Sequence, residues 1–242
     1  MRSTTPNRAG LLLAAALVLS APVFAQTIVA GSSNPFLAGM PNGSTCCSGD
    51  SAPAQSPVLA PGSLTPGTSL TFAVTGSVDH TGGTPTLSPD GSGIFSTPSN
   101  NGISGANWPI DALVGVFLDA SQPDSSAAPS GLDFTNTSFT TLSPQLKQAF
   151  FIGDGLTGTG SGSPQTFVVP AGATRLFLGT SDGFGWFNNS GSFSVLIGVQ
   201  GAPPTPTPVP GPAAAVPTLS FPVIALLGIV LAGASLLLIR RM

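Results

Sequence analysis

One short segment of the chain, residues 181–195 with the sequence SDGFGWFNNSGSFSV, combines a carboxylate, two adjacent amides and three glycines. Calcium takes six to eight oxygen ligands from carboxylates, amide side chains and backbone carbonyls. Asp182 offers the carboxylate, and Asn188 and Asn189 offer two amide oxygens. Glycines allow the tight backbone turns that point carbonyls inward. The residues alone leave two interpretations open, a calcium site or a surface turn rich in Asp, Asn and Gly.

The negative charge of the chain disfavours some classes of binding partner. All nine acidic residues are aspartates within residues 26–200, where only Lys147 and Arg175 oppose them, so this segment has a net charge of −7. Nucleic-acid binding needs clusters of basic side chains. We therefore expect no nucleic-acid partner. Aspartate without glutamate suits turns and oxygen-rich cation sites.

The elements that would position these residues are strands. Short apolar runs separated by turn-rich loops predict an all-β sandwich or barrel, with Leu176 and Phe193 in its core. The predicted strands are residues 68–76, 111–118, 148–153, 165–170, 174–180 and 191–199. One helical turn is expected within residues 142–150. Residues 80–109 are polar and predict a long loop, functional or disordered.

Both ends of the chain predict export. Arg2 and Arg8 precede the apolar run 11–19 and the small-residue segment APVFA. This pattern is typical of a signal peptide cleaved after Ala25. At the other end, residues 221–239 form an apolar stretch of transmembrane length followed by two arginines, which predicts a helix anchored on the cytoplasmic side.

The two cysteines, Cys46 and Cys47, are adjacent. In an oxidising compartment they can form a vicinal disulfide or pair between chains. They can equally be two small loop residues, and the sequence does not decide among these alternatives.

Catalytic motifs are missing from the sequence. A Ser-His-Asp site would need His80, the single histidine, and no G-x-S-x-G segment accompanies it. Glycoside hydrolysis needs two carboxylates at a set separation, and no motif selects such a pair. We therefore expect that the protein is not an enzyme.

The segment FNNSGSFSV, preceded by Asp182 and by the strand VPAGATRLFLGT, is similar to the end of PA-I-type galactophilic bacterial lectins. Further segments match that family in the same order. They are PGTSLTFAVTG (66–76), SPDGSG (88–93) and DALVGVFL (111–118). The resemblance implies a jelly-roll-like β-sandwich that binds carbohydrate through Ca²⁺, the ion itself holding two sugar hydroxyls.

The resemblance also implies which residues bind the ion. The side chains of Asp182, Asn188 and Asn189 match the family's calcium ligands, and the backbone carbonyl of His80 matches another, so its imidazole is expected to take no part. A further carbonyl ligand lies between Asp182 and the asparagines. Because this loop is one residue shorter here, the ligand is either Gly185 or Trp186.

Carbohydrate contacts are implied for Asp182, Trp186, Asn188 and Asn189. For Trp186 and its neighbour Phe187, stacking on a sugar and filling the end of the sandwich both remain open. The family's HPDQ selectivity loop is absent, so galactose specificity does not transfer. Asp154, in the sequence GDG, fits either a second ion site or a turn.

The tail, VPTLS followed by the apolar span and Arg-Arg, resembles the IPTL/PEP-CTERM class of sorting tails. This class implies cleavage by a sorting protease and release to the bacterial cell envelope surface or matrix; a plain membrane anchor is the alternative. The predicted organisation is a signal peptide, a lectin-like domain, a Pro-rich stalk and a sorting tail, at 1–25, 26–200, 201–215 and 216–242.

The sequence thus favours an exported, envelope-anchored, calcium-dependent protein that binds carbohydrate or extracellular polysaccharide. Because single sugar sites are weak, several copies in a homo-oligomer would strengthen binding. The alternative is a non-catalytic structural or matrix surface protein with at most a stabilising calcium site.

Overall fold

The apolar alternation of the sequence produces strands almost wherever it occurs. The computed structural model describes residues 26–200; the predicted signal peptide, stalk and sorting tail lie outside this range. Within it, the all-β prediction is confirmed. The strands are β1 Thr27–Ala30, β2 Thr45–Cys46, β3 Asp50–Ser51, β4 Val58–Leu59, β5 Ser69–Asp79, β6 Asp90–Thr97, β7 Ala106–Leu118, β8 Leu132–Asp133, β9 Thr141–Leu142, β10 Ala149–Phe151, β11 Leu156–Gly158, β12 Ser161–Pro164, β13 Thr166–Val168, β14 Arg175–Thr180 and β15 Ser190–Gln200.

Helical structure among the described residues is limited to three short 3₁₀ turns, Pro35–Leu37, Pro123–Ser125 and Trp186–Asn188. No helix of residues 26–200 has the length and apolar character that a membrane span requires.

Two main sheets enclose the core. The first has the strand order β1-β15-β5-β13-β9, and the second β10-β7-β14-β4, with β6 and β8 also paired to β7. The rings of Phe150 on β10 and Phe167 on β13 lie 5.8 Å apart and join the two sheets. Leu176 and Phe193 are buried, as predicted. The arrangement is that of a β-sandwich-like fold.

The pairing of β5 with β15 carries residues from distant parts of the sequence to one end of the first sheet. These strands are antiparallel from Ser69 opposite Gln200 to Asp79 opposite Ser190. Alternate side chains point inward because a strand has a period of two. The same pairing places the segment after Asp79 next to the segment before Ser190, which is the predicted calcium loop.

The predicted long loop at residues 80–109 is only partly a loop. It contains β6, which pairs with β7 from Asp90 opposite Ala112 to Thr97 opposite Ala106. Sequence periodicity misses β6 because most of its side chains are exposed. Its backbone hydrogen bonds, rather than an apolar face, hold it to the sheet.

The predicted helical turn at residues 142–150 is wrong. The chain instead makes a tight turn in which Lys147 adopts a φ of 64°. The Lys147 ammonium donates to the carbonyl oxygen of Ala127 at 2.7 Å and to the hydroxyl of Ser126 at 2.6 Å. These contacts with a neighbouring loop stabilise a left-handed conformation that a helix does not contain.

Candidate functional site

Residues 181–189 form the loop that joins β14 to β15. Buried hydrogen bonds hold the start of this loop in place. The Ser181 hydroxyl accepts the backbone N–H of Ala112 at 2.8 Å and donates to the carbonyl of Pro109 at 2.6 Å. The hydroxyl of Thr180 donates to the carbonyl of Gly31 at 2.6 Å. These buried bonds tie the start of the loop to β7 and to the end of β1.

A buried aspartate outside the predicted site holds the far side of this loop. The Asp50 carboxylate accepts the backbone N–H groups of Trp186 at 3.0 Å and Phe187 at 2.9 Å, and the amide of Asn34 at 2.9 Å. Burial raises the pKa of Asp50, and these three hydrogen bonds partly offset the rise. Asp50 follows shortly after the vicinal disulfide that joins Cys46 to Cys47.

Trp186 belongs to the core. Its ring is fully buried, meets the ring of Phe36 nearly edge-on at 5.8 Å, and donates its indole N–H to the carbonyl of Thr180 at 2.7 Å. Of the two roles left open by the sequence, Trp186 therefore fills the end of the sandwich. Its ring is inaccessible to a sugar, whereas the ring of Phe187 is exposed.

Asp182 is a buried carboxylate with one oxygen left over. Its Oδ1 accepts the backbone N–H groups of Gly183 and Phe184, while its Oδ2 is buried and has no hydrogen-bond partner. Burial raises the pKa of Asp182; the side chain of Asn189 and the two backbone N–H groups partly offset this.

Asn189, like Asp182, has a buried side-chain oxygen without a hydrogen-bond partner. Its side-chain N–H donates to the carbonyl of Gly31 at 3.1 Å, which fixes the orientation of the amide. Its Oδ1 is buried without a partner. An unpartnered buried acceptor costs about 1–3 kcal/mol, and a bound cation would satisfy both this oxygen and Oδ2 of Asp182. The donor set at Asp182 and Asn189 therefore fits calcium.

The ring of His80 contacts a buried acid beside the candidate site, a contact that the sequence does not indicate. Nδ1 of His80 lies 2.6 Å from Oδ2 of Asp111, whose side chain is fully buried. Burial lowers the pKa of His80, but the hydrogen bond to Asp111 and the charges of Asp111, Asp182 and Asp79 outweigh it and raise that pKa above its usual value.

Asp111 is a functional candidate that sequence reasoning missed. Burial raises its pKa, and the hydrogen bond and charge of His80 partly offset the rise. Its Oδ1 is buried and unpartnered, and its φ is 64°. The available signal was a single charged residue at the start of the apolar run DALVGVFL.

A surface pocket of about 300 Å³ lies between the loop after β5 and the loop before β15. The two loops approach closely, since a Cβ on Gly82 would lie 2.7 Å from the carbonyl oxygen of Asn188. The pocket is lined by His80, Thr81, Asp182, Phe184, Gly185, Phe187 and Asn188. It thus brings together four of the predicted site residues.

Asp154 is placed as a turn residue. Its Oδ1 accepts the backbone N–H of Leu156 at 2.8 Å and its Oδ2 that of Gly160 at 2.6 Å. Both carboxylate oxygens therefore close the turns on either side of β11.

Residues 26–200 contain no group of three or more His, Cys, Asp and Glu side chains that could hold a metal ion. The predicted ligand set is of another kind, because it relies on one carboxylate, two amides and backbone carbonyls. No protein-family model matches this chain, and no curated protein matches it either.

Proposed function

We propose that this protein is an exported, calcium-dependent carbohydrate-binding protein of the bacterial cell envelope, with a jelly-roll-like domain similar to PA-I-type lectins. The observation that carries the proposal is the pair of buried, unpartnered oxygens, Oδ2 of Asp182 and Oδ1 of Asn189, in one loop beside an open pocket. Buried polar atoms without partners are rare in folded proteins and call for an explanation. A calcium ion supplies it.

The ligands in this proposal are the side chains of Asp182, Asn188 and Asn189, with backbone carbonyls from His80 and from Gly185 or Trp186. Gly185 is favoured over Trp186, because it lines the pocket while the carbonyl of Trp186 already accepts the N–H of Asn189 at 3.1 Å. A bound calcium ion would supply a Lewis-acidic centre for sugar hydroxyls, and these side chains and carbonyls would hold it beside the pocket.

A neutral sugar is difficult to bind in water because water already satisfies its hydroxyls. A calcium site beside a pocket offers a stronger partner than a neutral side chain does. Asn188, which is exposed, and Thr81 line the same pocket, so in this proposal their side chains contact the same hydroxyls.

Export rests on the predicted signal peptide, stalk and sorting tail, all of which lie outside the described residues. The disulfide between Cys46 and Cys47 supports it, since disulfides persist in oxidising compartments. The tail would anchor the protein in the membrane until a sorting protease released it.

A second candidate is a structural surface or matrix protein whose calcium ion only stabilises the fold. The burial of Asp182, which is 5% exposed, favours this candidate because a deeply placed ion has fewer positions open to a ligand. The two candidates share the calcium site and differ in whether a sugar binds to it.

The test is a calorimetric titration of CaCl₂ into the full-length chain, held in phosphatidylcholine nanodiscs, for the wild type and for Asp182→Asn. Asp124→Asn is the matched control, because Asp124 is an exposed aspartate whose carboxylate accepts only from Gln122. The proposal predicts one calcium site that is lost in Asp182→Asn and kept in the control. Equal calcium binding by all three proteins would contradict it.

A further inference from the structure

Exposed aromatic rings are confined to one place on the described part of the chain. Among residues 26–200 the exposed aromatic side chains are Phe184 at 72%, Phe187 at 58% and Phe95 at 43%. Phe184 and Phe187 lie in the loop before β15. Phe95 lies on β6 and packs on that same loop, since a Cβ on Gly183 would come within 2.4 Å of its ring.

The backbone of the loop makes room for these rings. Gly183 lies under the ring of Phe95, and Gly185 lies under the ring of Phe187, whose Cε1 would be 2.8 Å from a Cβ on Gly185. Any larger residue at either glycine would displace a ring. The rings are thus supported against the loop rather than merely projecting from it.

The clustering of three exposed phenylalanine rings is unusual for the surface of a folded protein. Burying a phenylalanine side chain stabilises a protein by about 1.5–3 kcal/mol, and both tryptophans of this chain are buried in the core. Single exposed apolar residues are ordinary, whereas a group of them beside a pocket is typical of a binding surface. Phe184 and Phe187 line the pocket that contains Asp182.

We infer that Phe184 and Phe187 form an apolar wall that selects the ligand, a neutral pyranose with two adjacent hydroxyls on one edge and a continuous C–H face on the other. This inference rests on the proposed function. The hydroxyl edge faces Asp182 and Asn188, and the C–H face lies against the rings. Aromatic rings suit this role because they offer a large apolar surface with little side-chain freedom to lose.

Charge favours a neutral glycan over a lipid surface as the occupant. Residues 26–200 carry a net charge of −7, from nine aspartates against Lys147 and Arg175. Bacterial and other natural membranes present anionic lipids, which attract basic rather than acidic protein surfaces. A neutral sugar avoids this repulsion and uses both the polar and the apolar side of the pocket.

The test uses the full-length chain in phosphatidylcholine nanodiscs with saturating calcium. The probes are the methyl glycosides of D-galactose, D-mannose, D-glucose and L-fucose. Binding is measured by calorimetry, and the sugar protons that touch the protein are identified by saturation-transfer NMR. The variants are Phe184→Ala and Phe187→Ala. Ile28→Ala is the control, because Ile28 has the same 58% exposure as Phe187 but lies on β1.

We expect at least one glycoside to bind, with the strongest saturation transfer to the protons of one C–H face. Each phenylalanine variant should weaken that binding about three- to tenfold, while calcium affinity and the Ile28→Ala control stay within twofold of the wild type. The calcium measurement distinguishes failure of the proposed function from failure of this inference. If the wild type does not bind calcium, the proposed function itself is contradicted.

Three outcomes would overturn the inference while leaving the calcium site intact. One is glycoside binding that Phe184→Ala and Phe187→Ala leave unchanged. Another is calcium binding with no glycoside bound. The third is saturation transfer from the lipid acyl chains to these rings without any glycoside binding, which would identify a membrane as the occupant.

Discussion

Nδ1 of His80 lies 2.6 Å from Oδ2 of Asp111, and the Asp111 side chain has no exposed surface. His80 follows directly after β5, and Asp111 lies within β7, so this bond links the first main sheet to the second beside the candidate calcium loop. It makes the imidazole a structural part of the site. His80 is the single histidine of the chain. Its backbone carbonyl is a proposed calcium ligand, and its ring contacts the buried Asp111 carboxylate.

The His80–Asp111 pair should make stability depend on pH. Because the folded-state pKa of His80 is raised, its charged form stabilises the fold fully below the unfolded value of 6.5, and this contribution is lost as pH rises through the folded-state pKa. We expect the melting temperature of the wild type to exceed that of His80→Gln by more at pH 5.5 than at pH 8.5. The control is Gln26→Ala, a change at an exposed residue that directly precedes β1. A difference that does not vary with pH would contradict this role of the charge.

Asp182 should oppose folding when no cation is bound. Its pKa is raised by burial, so its ionised form carries a penalty above the folded-state pKa that is relieved as pH falls through that value. In EDTA at pH 7 we therefore expect Asp182→Asn to be at least as stable as the wild type, with the advantage disappearing near pH 4. Urea unfolding followed by tryptophan fluorescence measures this, since Trp108 and Trp186 are both buried. A variant clearly less stable than the wild type at pH 7 in EDTA would show that the carboxylate is already satisfied.

Asp50 should control the shape of the candidate calcium loop, residues 181–189. Asp50→Ala removes the acceptor for the N–H groups of Trp186 and Phe187. Leaving buried donors unpaired costs about 1–3 kcal/mol each, so the free energy of unfolding should fall by several kcal/mol and calcium affinity should fall with it. Asp50→Asn, which keeps one acceptor oxygen, should be intermediate in both measurements. Calcium affinity unchanged in a folded Asp50→Asn variant would argue that the loop needs no such support.

Asp154 should affect stability and not calcium stoichiometry. Both of its carboxylate oxygens accept backbone N–H groups, so Asp154→Ala should destabilise the protein by about 1–2 kcal/mol. Calorimetry should give the same number of calcium ions per chain as for the wild type. One ion fewer in the variant would restore the interpretation of Asp154 as a second ion site.

The sequence predicts the parts of this fold in which side-chain pattern and structure coincide. β5 and β15 are recognisable because their alternate residues face the core, and Leu176 and Phe193 are identified as core on the same grounds. β6 is not recognisable, because its side chains are mostly exposed and its stability comes from backbone pairing with β7. Local pattern contains no information about such a partner.

The candidate site likewise contains residues that the sequence predicts and residues that it does not. Asp182, Asn188 and Gly185 lie close together in the sequence, so their grouping follows from spacing. Asp50 acts on a residue 136 positions away, and no local pattern indicates such a contact.

Burial of particular side chains is also unpredictable from type alone. Trp186 and Phe187 are adjacent aromatic residues, and yet one ring is fully buried and the other is exposed. The 3₁₀ turn Trp186–Asn188 decides which ring points inward. Asp111 is likewise unexpected, because a carboxylate inside an apolar strand becomes tolerable only once His80 is placed beside it.

A thermal melt of the full-length chain, in a detergent without a sugar headgroup, tests the calcium site most directly when it is recorded first in EDTA and then in excess calcium. Calcium at about a hundred times its dissociation constant should add roughly 2.7 kcal/mol to the free energy of unfolding. For a domain of this size that is a rise of several degrees in melting temperature, which Asp182→Asn should abolish and Asp124→Asn should retain. Identical melting temperatures in EDTA and in calcium for the wild type would contradict the calcium site, and with it the proposed lectin-like function.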